Sequence, residues 1–149
     1  MKSVVGILVA LGRVDEASRL HQTVLARAPK DPGALYLTAL IAVTRGDASF
    51  SIDQWITQIA PVYSRDGGAC ANIAGVLAIA GRLDDAVAWL TKASELAMRN
   101  YEFVAGNPFY ANLRSYPPFQ RYLEGLREGW TREVERERAD PLMLSFRGL

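Results

Sequence analysis

A single histidine, His21, and a single cysteine, Cys70, are the residues of this 149-residue chain best suited by type to acid–base or nucleophilic chemistry. Neither has the company such chemistry needs. With one histidine, a His-based triad has no spare member and a multi-histidine metal site is excluded; with one cysteine, so are an intramolecular disulfide and a cysteine metal cluster. Asp84 and Asp85 are adjacent carboxylates, but sequence neighbours on a helix point about 100° apart and do not converge on one substrate atom. The run Ser64-Arg65-Asp66-Gly67-Gly68-Ala69 has glycines but lacks the Gly-Lys-Ser/Thr ending of a phosphate loop, and it reads as a turn. His21 therefore reads as a satisfied structural histidine and Cys70 as a small buried hydrophobe, with no cofactor and no metal expected. A small enzyme using His21 and carboxylates is the second alternative to the reading reached below.

The elements that would carry these residues are announced by a repeat. LGRVDEAS at Leu11–Ser18 returns as AGRLDDAV at Ala80–Val87, and a fainter TRGD copy lies between them at Thr44–Asp47. Aligning Gly12, Gly46 and Gly81 gives spacings of 34 and 35 residues, within the range of helical repeats. Ala-rich apolar stretches precede each glycine, at Val4–Leu11, Ala34–Thr44 and Cys70–Ala80, and an amphipathic stretch follows each. Each unit is predicted to be helix, turn, helix. The glycine ends the first helix in the left-handed conformation. Asp15 and Glu16, like Asp84 and Asp85, fall in the first turn of the second helix, where the positive end of the macrodipole favours carboxylates. Ala17 and Ala86 come next and allow close helix approach, while Leu20, Val24, Leu90 and Ala93 continue the apolar stripe.

This pattern of Gly, acidic residues and Ala across a turn, with Pro29 and Pro61 near the ends of the first two units, resembles the tetratricopeptide repeat. The middle copy departs from it. After Gly46-Asp47 there is no small residue, although Ser51 with Gln54 can form a capping box and Ile52, Trp55, Ile56 and Ile59 supply an apolar face. Beyond Met98 a different segment begins. Asn107-Pro108 and Ser115-Tyr116-Pro117 read as helix starts, Phe119, Tyr122, Leu123, Leu126 and Trp130 form one stripe, and pairs such as Glu128–Arg132 are expected to support the polar end. The segment resembles the closing section of bacterial tetratricopeptide proteins, which often end chains carrying a cyclase, a kinase or a transcription regulator. The resemblance implies an all-α helical-hairpin repeat solenoid of about three units, 1–31, 32–66 and 67–98, closed by capping helices at 99–138 and followed by an apolar tail at 139–149. Leu8 and Leu11 look like part of a unit starting before Met1, so either the first helix is short or the chain is the C-terminal part of something longer.

The same resemblance implies a concave groove for a protein or peptide partner. Transferring the family register puts Tyr36, Leu37, Leu40, Val43, Asn72, Gly75 and Ile79 along it. Leu37 and Ala71 stand where polar groups would clamp a C-terminal carboxylate, so a clamp is not expected and an apolar groove for a helix or extended segment is. Composition narrows the partner. A net charge of +1, from 17 basic and 16 acidic residues with interleaved signs, gives no footprint for nucleic acid. No apolar run approaches the roughly 20 residues of a membrane span, and charged residues directly after the first short run argue against a signal peptide. The expectation is a cytoplasmic, non-enzymatic protein–protein interaction module; the first alternative is a regulatory segment of a longer bacterial signalling protein. Leu142, Met143, Leu144, Phe146 and Leu149 make the tail apolar enough to predict packing on its own solenoid or on a second copy as a homodimer.

Overall fold

The computed structural model describes residues 1–139, so the expectation for the tail lies outside the described residues. Among these the fold is all-α: α1 (Lys2–Ala10), α2 (Val14–Arg27), α3 (Pro32–Arg45), α4 (Ile52–Tyr63), α5 (Gly67–Ile79), α6 (Leu83–Glu95), α7 (Tyr101–Gly106), a 3-10 helix (Pro108–Leu113) and α8 (Pro117–Ala139).

The glycines do what their positions predict. Gly12, Gly46 and Gly81 have φ of 74°, 67° and 78°, the left-handed region that a Cβ disfavours. Each ends its helix with the same pair of bonds. The glycine N–H donates three residues back, and the next N–H donates five back: Arg13 to Leu8, Asp47 to Ala42 and Arg82 to Leu77, at 2.8, 3.0 and 2.9 Å. Otherwise orphaned carbonyls are satisfied, and the chain reverses into the second helix. Asp15, Glu16, Asp84 and Asp85 lie in the first turns of α2 and α6, and Ala17 and Ala86 are fully buried behind them.

In the first and third copies the arginine after the glycine, to which the sequence pattern gave no role, ties the turn to the helix that follows. Arg13 grips Glu16 through Nε and Nη2, and Arg82 grips Asp85 through the same two nitrogens. A second set of contacts joins successive pairs of helices. Asp15 in the first turn of α2 accepts from Arg45 at the end of α3, Asp53 of α4 accepts from Arg82, and Asp84 of α6 accepts from the hydroxyl of Tyr116, just before α8. The donor changes while the separations, 30, 29 and 32 residues, stay similar.

Contacts between elements follow this order: α1 packs on α2 and α3, α3 on α4 and α5, and α5 on α6 and the 3-10 helix. Helix α5 is buried over most of its surface, at Gly67, Cys70, Ala71 and Ile73 to Ala78, because Ala, Gly and aliphatic residues face nearly all round rather than along one stripe. A Cβ on Gly67 would stand 2.7 Å from the Met98 Cβ, and one on Gly75 would stand 3.3 Å from the Phe109 Cβ, so both neighbours approach the backbone itself. Helix α4 forms without the small residue, capped by Ser51 accepting from the Gln54 N–H, and buries Trp55, Ile59 and Tyr63; Trp55 Nε1 donates to the Leu35 carbonyl at 3.2 Å. Pro61 sits exposed inside α4, which continues to Tyr63.

The closing segment differs from the sequence expectation in three details. An additional helix, α7, precedes Asn107, capped by Asn100 accepting from the Phe103 N–H. Asn107-Pro108 opens a 3-10 helix rather than an α-helix. Arg132 donates to the Glu128 carbonyl instead of pairing with its carboxylate, and the ion pair on this stretch is Glu124–Arg127. Phe119 and Leu126 are buried as the stripe predicts, with Tyr122, Leu123 and Trp130 half-buried.

Candidate interaction groove

Helices α1, α3 and α5 lie in sequence against one another, and α7 with the 3-10 helix closes one side, leaving a groove of about 810 Å³. Two anchors hold its walls. Lys2 bonds Asp31 at 2.6 Å, joining the start of α1 to the cap of α3, where Asp31 also accepts from the Ala34 N–H. These donors hold the Asp31 carboxyl below its ordinary range, the Lys2 contact most of all. On the opposite wall the 3-10 helix is stitched to α5: the Tyr110 hydroxyl donates to the Ala71 carbonyl at 2.9 Å, and Asn112 Nδ2 donates to the Ala78 carbonyl at 3.0 Å. Burial pushes the Tyr110 hydroxyl far up, so it serves as a neutral donor throughout the physiological range.

Of the seven sequence-predicted groove residues, Tyr36, Leu37 and Asn72 line this groove. Leu40 and Gly75 are buried, Leu40 in the core and Gly75 beneath Phe109, while Val43 and Ile79 are half-buried and pack against the core away from the groove. The register transfer placed one end of the set in the groove. It missed the opposite wall. Ile7, 58% exposed on α1, and Phe103, 49% exposed on α7, also line the groove, together with Asn107 and Phe109. Asn100 followed three residues later by Phe103 was the signal for α7, a capping side chain ahead of a short helix. Burial pushes the Tyr36 hydroxyl upward from its ordinary value, with the Tyr63 hydroxyl adding to the shift. The Asn72 amide makes no hydrogen bond among the described residues and presents a donor and an acceptor at the groove surface.

A second groove of about 600 Å³ runs between α6 and α8. Tyr122 floors it, its hydroxyl within 2.8 Å of Ser94 Oγ and donating to the Leu90 carbonyl at 3.2 Å. Its rim mixes Arg99, Arg121 and Arg136 with Glu95 and Glu133.

The residues best suited to catalysis are held inside. His21 is 4% exposed on α2. Thr38 Oγ1 donates to the Ala34 carbonyl, so it accepts from His21 Nε2–H at 2.8 Å, and His21 Nδ1 is buried with no partner. The histidine is buried and only half satisfied. Burial holds it below its ordinary value of 6.5. Cys70 is fully buried, its thiol pushed up by burial and lying 3.5 Å from the Tyr63 carbonyl. No group of three or more His, Cys, Asp or Glu suited to a metal ion occurs among the described residues, and none of their helices is long and apolar enough to cross a membrane.

Comparison with protein-family models, with curated proteins and with solved structures gives no match.

Proposed function

We propose that this chain is a tetratricopeptide-like helical-repeat module that binds a peptide or helix of another protein, without catalysis, in the groove between α1, α3, α5 and α7. The solenoid part of this reading is supported by three identical glycine turns and by the Asp15–Arg45, Asp53–Arg82 and Asp84–Tyr116 series. The binding part rests on one observation. Two large apolar side chains, Ile7 and Phe103, are exposed along a groove that also holds the unpaired amide of Asn72. Apolar side chains supply affinity there, while an amide that can donate and accept suits the backbone of an extended segment. The buried state of His21 and Cys70 favours this reading over an enzyme, and a cytoplasmic location suits a free, buried thiol.

The test is selection of peptides from a random displayed library against the whole chain, followed by calorimetric titration of the best one. Phe103→Glu should weaken binding by roughly tenfold or more, as expected for an interface anchor. Leu96→Glu, an exposed apolar position outside the groove, should leave it unchanged. Peptides that bind both variants as tightly as the parent would refute the assignment of the groove.

A further inference from the structure

The first helices of the three units carry one register position in three different states. Six residues before the turn glycine stand Gly6 on α1, Leu40 on α3 and Gly75 on α5. On α3 the position fills itself, since Leu40 is fully buried. On α5 it is filled from elsewhere in the chain. A Cβ on Gly75 would stand 3.3 Å from the Phe109 Cβ and 3.7 Å from Tyr110 Cε1, so aromatic residues lie directly on the helix backbone. On α1 neither happens. Gly6 lines the groove, and apart from its own stretch of helix nothing among the described residues comes within 4 Å of where its Cβ would stand.

A glycine inside a helix costs stability relative to alanine, because it gives up more backbone freedom on folding. For Gly75 the fold itself supplies a reason, the close approach of Phe109. For Gly6 the described residues supply none. What shares the groove with it is apolar and partly aromatic: Ile7 and Ala10 on α1, Tyr36 on α3 and Phe103 on α7. Charge adds a second feature. Lys2 is taken by Asp31, whereas Glu102, exposed beside Phe103, has no ion-pair partner among the described residues. The groove therefore presents one uncompensated carboxylate next to an exposed aromatic ring.

Taking the peptide groove assigned above as the binding site, we propose that Gly6 seats an aromatic side chain, a Phe or Tyr of the other protein's bound segment, and that a Lys or Arg close to it in that segment meets Glu102. The ring lies on the α1 backbone as Phe109 lies on that of α5, among aromatic neighbours that favour it. The cation is drawn to the carboxylate at the rim.

Two displayed peptide libraries test this against the full chain, one with a Phe fixed among random residues and one without Phe, Tyr or Trp, the tightest peptides being titrated by calorimetry. Enrichment is expected from the first, with a Lys or Arg recurring near the Phe. Gly6→Leu supplies the side chain that Leu40 supplies on α3; it meets open space and favours helix, so the variant should melt no lower than the parent. It should weaken these peptides roughly tenfold or more, and have little effect on a peptide whose Phe is changed to Ala. Glu102→Lys should weaken them roughly threefold or more, an effect lost when the peptide's basic residue is changed to Gln. Peptides that respond to Phe103→Glu but not to Gly6→Leu, or that come equally from the library without aromatics, overturn the seat and leave the groove standing. Peptides without a basic residue, or indifferent to Glu102→Lys, overturn the charge pairing. Failure of both libraries, or indifference to Phe103→Glu as well, overturns the groove and the seat together.

Discussion

Helices α1 and α5 open units that share the Gly-Arg-x-Asp/Glu turn, yet one is half-exposed and the other is largely buried. Both end on a left-handed glycine, both are followed by an arginine gripping the carboxylate three residues on, and both lead to a fully buried alanine. The turn is therefore a local property, written in consecutive residues. Burial is not. Helix α5 is enclosed by α3, α4, α6 and the 3-10 helix, whereas α1 meets only α2 and α3 in comparable extent. A motif of this kind specifies how the chain reverses, and the neighbours decide what the first helix is worth to the fold.

The sharpest way to break the comparison is to place one substitution at equivalent positions. Ile73→Asp buries an unpaired carboxylate in the most enclosed helix and should remove a large share of the stability, since such defects cost about 3–5 kcal/mol or more against a typical domain stability of about 5–15. Val4→Asp, in register with it, should shift stability by no more than about 0.5 kcal/mol. Urea denaturation followed by circular dichroism reads both. Similar losses at the two sites would mean that the open face of α1 is covered in solution.

The buried alanines give a smaller contrast. Ala86→Trp forces bulk between α5 and α6, both of which are hemmed in by further elements, and should cost about 3 kcal/mol or more. Ala17→Trp meets α1, which has an open side to move toward, and should cost nearer to about 1–2 kcal/mol. Equal costs would show that α1 is held as firmly as α5.

These contrasts also mark how far the sequence could be read. The turns, their acidic first-turn residues and the close-packed alanines were legible because each depends on neighbours within eight residues. The second helix of the middle unit was legible from Ser51 and its apolar stripe, even without the small residue. Leu40, Val43, Gly75 and Ile79 were assigned to a groove that they do not line, since a register says which residues share a helix and not which side another element covers. Phe109 closing over Gly75 could not be anticipated, because the 3-10 helix that carries it is placed by Tyr110 and Asn112 bonding to carbonyls of α5 that are 39 and 34 residues away. The pairing of Arg82 with Asp53, and of Tyr116 with Asp84, likewise joins residues that no local pattern relates.

His21 belongs to the first side of the comparison, between α2 and α3, and gives it a pH dependence. Above its ordinary value of 6.5 the imidazole is neutral in both folded and unfolded chains. As the pH falls below that value the unfolded chain takes up a proton, while the buried ring, held below 6.5, resists it. Stability is therefore fully present above about pH 6.5 and declines as the pH falls through the depressed folded value. His21→Gln keeps a donor for Thr38 and does not titrate. Its urea midpoint should change less than that of the parent between about pH 7.5 and 5.5, a window above most carboxylate titration. Parallel midpoints for the two proteins across this window would place the titrating group elsewhere.

The smallest effect concerns a helix end that takes the geometry of the glycine turns without the glycine. Helix α6 finishes through Ala97, with φ of 68° and the Met98 N–H donating to the Ala93 carbonyl at 3.0 Å, the geometry that Gly12, Gly46 and Gly81 adopt at the ends of α1, α3 and α5. An alanine there pays about 1–2 kcal/mol for its Cβ in the left-handed region, and glycine returns part of that through the greater entropy of its unfolded chain, about 0.5–1 kcal/mol. Ala97 is exposed, so its methyl contributes little packing. Ala97→Gly should stabilise the protein by about 0.5–1 kcal/mol, read as a higher denaturation midpoint with an unchanged slope. A lower midpoint would mean that the left-handed geometry at this turn is not kept in solution, and that α6 ends by a different route from the helices whose turns were written in glycine.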